Sequence, residues 1–441
     1  VIGLLDRRFA LAAHGTSVRT EVIGGFTTFL TMAYIIFVQP AVLGAAGMDT
    51  GAVLVATCLS TAFATTLMAL MANYPIAVAP AMGHNFFFAY SVVLGLQVPW
   101  EVALGCVFVA GVVFILTAGI GLRERLITAI PSSIKHAIAA GIGLLIAAIG
   151  LQWAGLIVAS PGTLVTLGDL RRAPVLLALF GMTLTAVLVV RQVPGALLWG
   201  ILAATIAGLP FGLVQYHGVA SAPPSLTPTL LKLDIAGALV PEMLPVVLVF
   251  FFLALFDSVG TLVGIGTQAG FMRNGTLPKA REALLADAVG TVAGAALGTS
   301  TVTAYIESGA GVAAGARTAL AGLVTATLFL MALFFYPLVR MIGGGYAEGS
   351  STLYPLIAPP LVLVGTMMIG GLRHVAWADP TEAIPAFLTL ILMPLTFSIT
   401  EGVSFGLIAY VLLKAASGRV RDVHPLVFLF AALFVARYAF L

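Results

Sequence analysis

Charge is what this chain has least of: Asp, Glu, Lys and Arg make up 8% of its 441 residues, against 61% hydrophobic. A water-soluble globule of that length cannot cover its surface with so few charges. The composition therefore excludes a soluble enzyme, leaves no basic tract for a nucleic-acid partner, and implies an integral membrane protein surrounded by the lipid bilayer. Cysteine is almost absent too. Cys58 and Cys106 both fall in predicted spans with no CxxC or Cys/His spacing, so no metal site is expected and both read as small packing residues. No GxxxxGK[ST] run is present, which disfavours ATP-driven transport. No Asp-rich run or Ser/His arrangement marks an intramembrane enzyme, and no cofactor is expected. The opening VIGLLDRRFALAAHGTSVRTE lacks the basic start, short apolar run and small-residue cleavage site of a signal peptide, so the first helix is expected to direct insertion.

What the chain does have is a series of apolar runs of roughly 17 to 25 residues, each long enough to cross a hydrocarbon core about 30 Å thick. Bounded by Pro, Gly and charge, they fall near 22–43, 51–72, 77–91, 101–120, 131–151, 174–190 and 194–213. A polar connection, QYHGVASAPPSLTPTLLKLD, precedes a second set near 243–266, 283–297, 302–315, 317–338, 353–371, 382–398 and 400–416. The expectation is an all-α polytopic protein with 14 transmembrane segments arranged as a 7+7 inverted repeat. With the N-terminus in the cytoplasm of a cell (inner or plasma) membrane, fifteen of the 20 basic residues face inward, Arg7, Arg123 and Arg125 among them. Only Arg171, Arg172, Lys232 and Arg340 face outward, Arg437 being left aside, as the positive-inside rule favours. The run 425–441 is read as interfacial or packed on the bundle, with both termini cytoplasmic.

The third span of each half is short and interrupted: IAVAPAMGHNFFFAY by Pro75, Pro80 and Gly83, TSTVTAYIESGAGV by β-branched residues before Gly309 and Gly311. These third and tenth spans are expected to be broken helices, and such interruptions at matching positions point to a binding site. An acid at the centre of a membrane helix costs about 2.5 to 3.5 kcal/mol on insertion scales, so Asp257 and Glu307 are the foremost site candidates. Around them stand Phe86, Phe87, Phe88 and Tyr305 for stacking, Asn85, Ser258 and Thr261 for hydrogen bonding, and the backbone N–H of Ile306. Asp257 and Thr261, four apart, share a helix face, whereas Ser258 points elsewhere. His84 and Asp287 join the two acids as candidates for proton coupling. Glu21, Glu242, Glu382 and Glu401 begin predicted spans, where a carboxylate complements the helix dipole.

The segments TSVRTEVIGGFTTFLTMAYIIFVQP, NYPIAVAPAMGHNFFFAY, IPSSIKHAIAAGIGL, LFDSVGTLVGIGTQAG, ALLADAVGT, GTSTVTAYIESGAGVAAGARTAL and MPLTFSITEG together resemble the nucleobase–cation symporters, and within them the AzgA-like purine permeases. The resemblance implies a core domain that carries substrate against a gate domain: core at 21–128 and 242–340, gate at 129–213 and 341–418, with a connection at 214–241 and a C-terminal interfacial segment at 419–441. It implies that Asp257 and Glu307 hold a purine nucleobase on which Phe86 stacks, with Thr261, Tyr305, Ile306, Asn85 and the first-span residue Ala33 around it. His84 stands at a position often apolar in that family. The resemblance further implies proton symport, sodium remaining open, and a homodimer formed through the gate. A carrier of uracil, xanthine or another small solute on the same architecture, and an uncoupled facilitator, are the alternatives.

Overall fold

The structure, a computed structural model, describes residues 8–119, 131–273, 276–348 and 351–440. Arg7, Arg123, Arg125 and the expected boundary at 128–129 lie outside them. Helix α1 (Val18–Met32) starts where Ser17 accepts a hydrogen bond from the Thr20 amide at 3.2 Å. It breaks at Ala33 and Tyr34 and resumes as α2 (Ile35–Ala45). Thr31 Oγ1 bonds back to the Thr27 and Thr28 carbonyls just before the break, a pattern that bends helices. Asp49 caps α3 (Thr50–Ala72), which ends on Asn73 in the left-handed conformation at φ 58°.

The third span is not a continuous helix. It enters as strand β1 (Val78–Pro80) and turns into helix α4 (Met82–Phe86), which continues as a π-helical stretch over Phe87–Gly95. After α5 (Trp100–Gly119) come α6 (Ser132–Trp153), a hairpin of β2 (Ile157–Ser160) and β3 (Leu164–Leu167), α7 (Ala173–Val190) and α8 (Ala196–Gly208). The second half brings α9 (Leu244–Gln268), α10 (Ala280–Leu297), strand β4 (Val302–Ala304), α11 (Ser308–Ala313), α12 (Ala319–Ala332) and α13 (Tyr336–Gly343). A hairpin of β5 (Tyr346–Glu348) and β6 (Ser351–Leu353) then leads to α14 (Ala358–Met368), α15 (Pro380–Thr396), α16 (Ile399–Ala416) and α17 (Pro425–Phe440). Eight helical segments among the described residues are long and apolar enough to cross a bilayer, and Ala196–Gly208, Pro380–Thr396 and Pro425–Ala439 are shorter apolar helices.

Strands β1 and β4 pair antiparallel, Val78 opposite Ala304, Ala79 opposite Thr303 and Pro80 opposite Val302. The fold is therefore helical around a short two-stranded centre. Because lipid offers no partner to extended backbone, the two segments satisfy one another and borrow a side chain each. Thr65 on α3 clamps both the amide and the carbonyl of Val78, at 3.0 and 3.1 Å. Thr291 on α10 does the same to Val302, at 3.2 and 2.7 Å. The two clamps and the register are related by a local twofold through Ala79 and Thr303, the geometry of an inverted repeat.

Helices α1, α3, α5, α9, α10 and α12 pack on one another, and α6, α7, α8, α14, α15 and α16 form a second group. Close approach relies on small residues: a Cβ on Gly290 of α10 would stand 2.6 Å from that of Ala64 on α3. Helix α17 lies antiparallel along α16, its Arg437 reaching Glu401 at 3.0 Å and its Tyr438 bonding both Ser404 and Glu401. At the other end of α16, buried Lys414 pairs with Glu382 at 2.9 Å. There Arg419, with Thr381, holds the Asp379 carboxyl well below the usual carboxylate range.

Glu21 has a role that its position in sequence does not disclose. Fully buried, it accepts the amides of Arg317 at 2.8 Å, Thr318 at 3.2 Å and Ala321 at 3.3 Å. It thus caps α12, a helix nearly 300 residues away, and not only its own α1. Glu21→Ala leaves those donors buried and unpaired, and we expect a destabilisation on the order of 2–3 kcal/mol, read as a lowered thermal unfolding midpoint in detergent. An unchanged midpoint would remove this cap from the stabilising contacts.

Candidate functional site

Where β1 and β4 cross, a cavity of about 130 Å³ opens, lined by Tyr34, Ala81, Met82, Gly83, Asp257, Thr261, Thr303, Ala304, Tyr305, Ile306, Glu307, Val364 and Met368. Each wall comes from a different element: the break in the first span, the turn from β1 into α4, the middle of α9, the turn from β4 into α11, and α14. Drug-sized ligands occupy pockets from about 300 Å³ upward, so this one suits a single small solute.

The two acids face this cavity in the same half-satisfied state. Thr303 Oγ1 donates to Asp257 Oδ2 at 2.9 Å, and the Tyr34 hydroxyl donates to Glu307 Oε1 at 2.8 Å. Asp257 Oδ1 and Glu307 Oε2 have no side-chain partner among the described residues, so each carboxyl keeps one oxygen for a ligand. The Glu307 carboxyl also takes a hydrogen bond from its own amide, while the Ile306 amide, at the turn into α11, makes no backbone hydrogen bond and adds a donor on the same side. The Tyr305 hydroxyl, by contrast, is taken up by the Pro80 carbonyl and fixes the strand crossing.

Five of the residues named from sequence therefore line one cavity: Asp257, Thr261, Tyr305, Ile306 and Glu307. Four stand behind it. Phe86 is fully buried with its ring stacked on Tyr90 at 5.8 Å between centroids. Asn85 accepts a hydrogen bond from Ser300, which joins it to Gln39 through the Thr299–Ser300 turn. Ala33 is buried in the first-span break. His84 is 4% exposed, near the Leu253 carbonyl one helical turn before Asp257, with no hydrogen bond of normal geometry at either nitrogen.

Asp287 is also outside the cavity, fully buried on α10, where its Oδ2 accepts the Ala304 amide at 3.1 Å. It interacts with Ser258, although neither Asp287 Oδ1 nor the Ser258 hydroxyl has a hydrogen bond of normal geometry. Asp257 and Asp287 thus hold adjacent residues of β4, one by a side chain and one by an amide. Sequence reasoning missed Tyr34 and Thr303, the two hydroxyls that orient the acids, as well as Met82, Val364 and Met368. A tyrosine directly after Ala33 in an apolar span was the available signal for the first.

The two ends of α9 differ in exposure on the side that lines the cavity. On the face of α9 that carries Asp257, Phe250, Leu253 and Ala254 toward its N-terminal end are buried, whereas Gly260, Gly264 and Gln268 toward its C-terminal end are exposed. A Cβ on Gly260 would meet nothing within 4 Å, and one on Gly264 only the tip of Ile306, itself 58% exposed.

Comparison with known proteins agrees with this architecture. A family model described as a permease family matches residues 19–405. The chain is 44% identical to the adenine permease AdeP of Escherichia coli over 440 residues, covering all of this chain and 97% of that one. It is 44% identical to the guanine/hypoxanthine permease PbuG of Bacillus subtilis over 439 residues, covering 97% and 98%. Among solved structures, the transmembrane domain of the cyanobacterium bicarbonate transporter BicA superposes with a TM-score of 0.61 at 19% identity, covering 89% of this chain and 97% of that one, which shows a shared helical transporter fold. With a family match over most of its length and such identities end to end, the chain belongs to this permease family, that of the nucleobase/ascorbate transporters.

Proposed function

We propose that the protein is a secondary active transporter that carries a purine nucleobase (adenine, guanine or hypoxanthine) together with a proton. The observation that carries the reading is the pair of half-satisfied carboxyls, Asp257 and Glu307, facing one small cavity. A purine presents alternating donors and acceptors around a flat ring. Two carboxyls on one cavity, plus the amide of Ile306, are the complement of such an edge. The names of the relatives AdeP and PbuG support the same substrate class.

Protonation supplies the coupling. An ionised carboxylate only accepts hydrogen bonds, whereas a protonated carboxyl donates and accepts, so gain of a proton changes which ring edge fits. Glu307 and Asp257 are the groups assigned to this step. Asp287, tied to the Ala304 amide, transmits between them, and His84 is a reserve site one turn away. Phe86, Asn85 and Ala33 support the lining from behind, and Phe86 reaches a base only when its ring leaves Tyr90.

In this reading the first helix group is the core, at 21–128 and 242–340, and the second is the gate, at 129–213 and 341–418. The full set is 14 spans, with the third and tenth broken at β1 and β4. The open end of α9 leads toward Arg273, Lys279 and Arg281, the side that the basic residues assign to the cytoplasm. The conformation described is then inward-facing, and transport exchanges it for one open on the other side as core slides against gate. Homodimerisation through the gate belongs to the same proposal.

Uptake of radiolabelled adenine, guanine and hypoxanthine into proteoliposomes under an inward proton gradient tests substrate and coupling together. We expect protonophore-sensitive accumulation of at least one base, and Glu307→Gln and Asp257→Asn to abolish it while still inserting. Binding without accumulation would reduce the protein to a facilitator, and indifference to all three bases would sink the substrate assignment.

Tyr34→Phe deletes the hydrogen bond that orients Glu307. It should weaken purine binding about tenfold, the range for a hydrogen bond to a charged group, and normal affinity in that variant would show that Glu307 needs no such orientation.

Access is tested separately. Cys58 and Cys106 are both fully buried, so the native chain offers a silent background for thiol labelling. A cysteine in place of Gly260 or Gly264 should react with a membrane-impermeant reagent applied from the cytoplasmic side, and bound purine should protect it. Reaction from the opposite side alone would reverse the assigned orientation.

A further inference from the structure

An apolar recess lies away from the substrate site, in the crevice where α9, α16 and α17 meet. It has a volume of about 500 Å³ and is walled by Leu248, Phe252 and Phe256 of α9, Leu407 of α16 and Phe434 of α17, with Glu242 and Arg437 also on its lining. From Leu244 to Phe256 it follows α9 for roughly 18 Å at 1.5 Å of rise per residue, the dimension of an extended acyl chain. The wall is almost entirely hydrocarbon, and the charged residues on it are Glu242, just before the first turn of α9, and Arg437, in the last turn of α17.

Those charges specify a headgroup. Glu242 is exposed, and among the described residues no hydrogen bond or ion pair engages it. Arg437 Nη1 stands 3.0 Å from a Glu401 oxygen as an ion pair without hydrogen-bond geometry, so its N–H donors remain available. Two carboxylates against one guanidinium give this set of charges a net negative character. It repels a purely anionic headgroup, and the unengaged Glu242 calls for an N–H-bearing cation within reach of the phosphate that Arg437 can hold.

We propose that this crevice binds one phosphatidylethanolamine molecule, its acyl chain along α9, its primary ammonium on Glu242 and its phosphate on Arg437. A quaternary ammonium has no N–H to give Glu242, so phosphatidylcholine fits less well. The placement carries a consequence. Phe256, on the crevice wall, directly precedes Asp257 on α9, about 100° around the helix, while Leu407 belongs to the second helix group. The lipid chain is therefore wedged between the elements whose relative displacement transport requires, and lipid composition sets how readily they part.

The test is native mass spectrometry of the full chain released from nanodiscs containing equal amounts of phosphatidylethanolamine, phosphatidylcholine and phosphatidylglycerol. Phosphatidylethanolamine should be retained about threefold over phosphatidylcholine, the range for a partly exposed ion pair, and Glu242→Gln should abolish that preference. Leu433, 42% exposed and also on the crevice wall, permits a filling substitution that leaves the core untouched. Leu433→Trp should lose the retained lipid whatever its headgroup, at an unchanged unfolding midpoint. Equal retention of all three lipids, an unaltered preference in Glu242→Gln, or lipid still held by Leu433→Trp would each overturn the proposal. A dimer that dissociates in Leu433→Trp would assign the crevice to a second copy of the chain and overturn it as well.

Discussion

Six residues of extended backbone at membrane depth set the terms for this structure. Lipid supplies no donor or acceptor, and each unpaired amide or carbonyl there costs several kcal/mol. The chain meets that demand with a closed set of partners: β1 against β4, Thr65 on Val78, Thr291 on Val302, the Tyr305 amide on Ala77, the Ala81 amide on Thr301, and Asp287 on the Ala304 amide. Nearly every polar group around the centre is committed to holding the crossing. Among the groups not so committed, Asp257 Oδ1 and the Ile306 amide face the cavity, whereas the His84 nitrogens, the Ser258 hydroxyl and Asp287 Oδ1 lie behind it. The binding chemistry is what remains after the backbone has been satisfied.

That division explains what was legible in the sequence. A helical membrane fold could be read because lipid demands long apolar runs, and eight such helices stand among the described residues. Asp257 and Glu307 stood out because acids are costly in hydrocarbon, and both line the cavity. A period of four placed Thr261 beside Asp257 correctly. The pairing of β1 with β4 was not legible. Three-residue strands carry no periodicity, and their partners lie more than 200 residues apart, so nothing local specifies the register.

The same limit applied to individual side chains. Tyr34 and Thr303 reach the acids only through tertiary placement, and the break at Ala33 that delivers Tyr34 has no Gly or Pro to mark it. Phe86 looked like a stacking ring because it is aromatic and follows the Gly83 break. The structure turns it onto Tyr90, and Met82 and Gly83 line the cavity in its place. Glu21 was read correctly as a helix-dipole carboxylate, yet the amides it holds belong to α12. Composition shows what a residue can do, and only the fold decides for which neighbour.

The walls of the cavity differ in a way that bears on movement. Asp257, Thr303, Glu307 and Tyr34 are joined by hydrogen bonds within one helix group, and Asp287 fastens β4 to α10 from behind. The second group contributes only Val364 and Met368, which are apolar and make no directional contact with those residues. Separating the two walls breaks no hydrogen bond at the cavity, whereas shifting β4 against α9 would break the bond from Thr303 to Asp257. The polar lining of the cavity is therefore tied together across its elements, and the apolar wall of Val364 and Met368 is not tied to it.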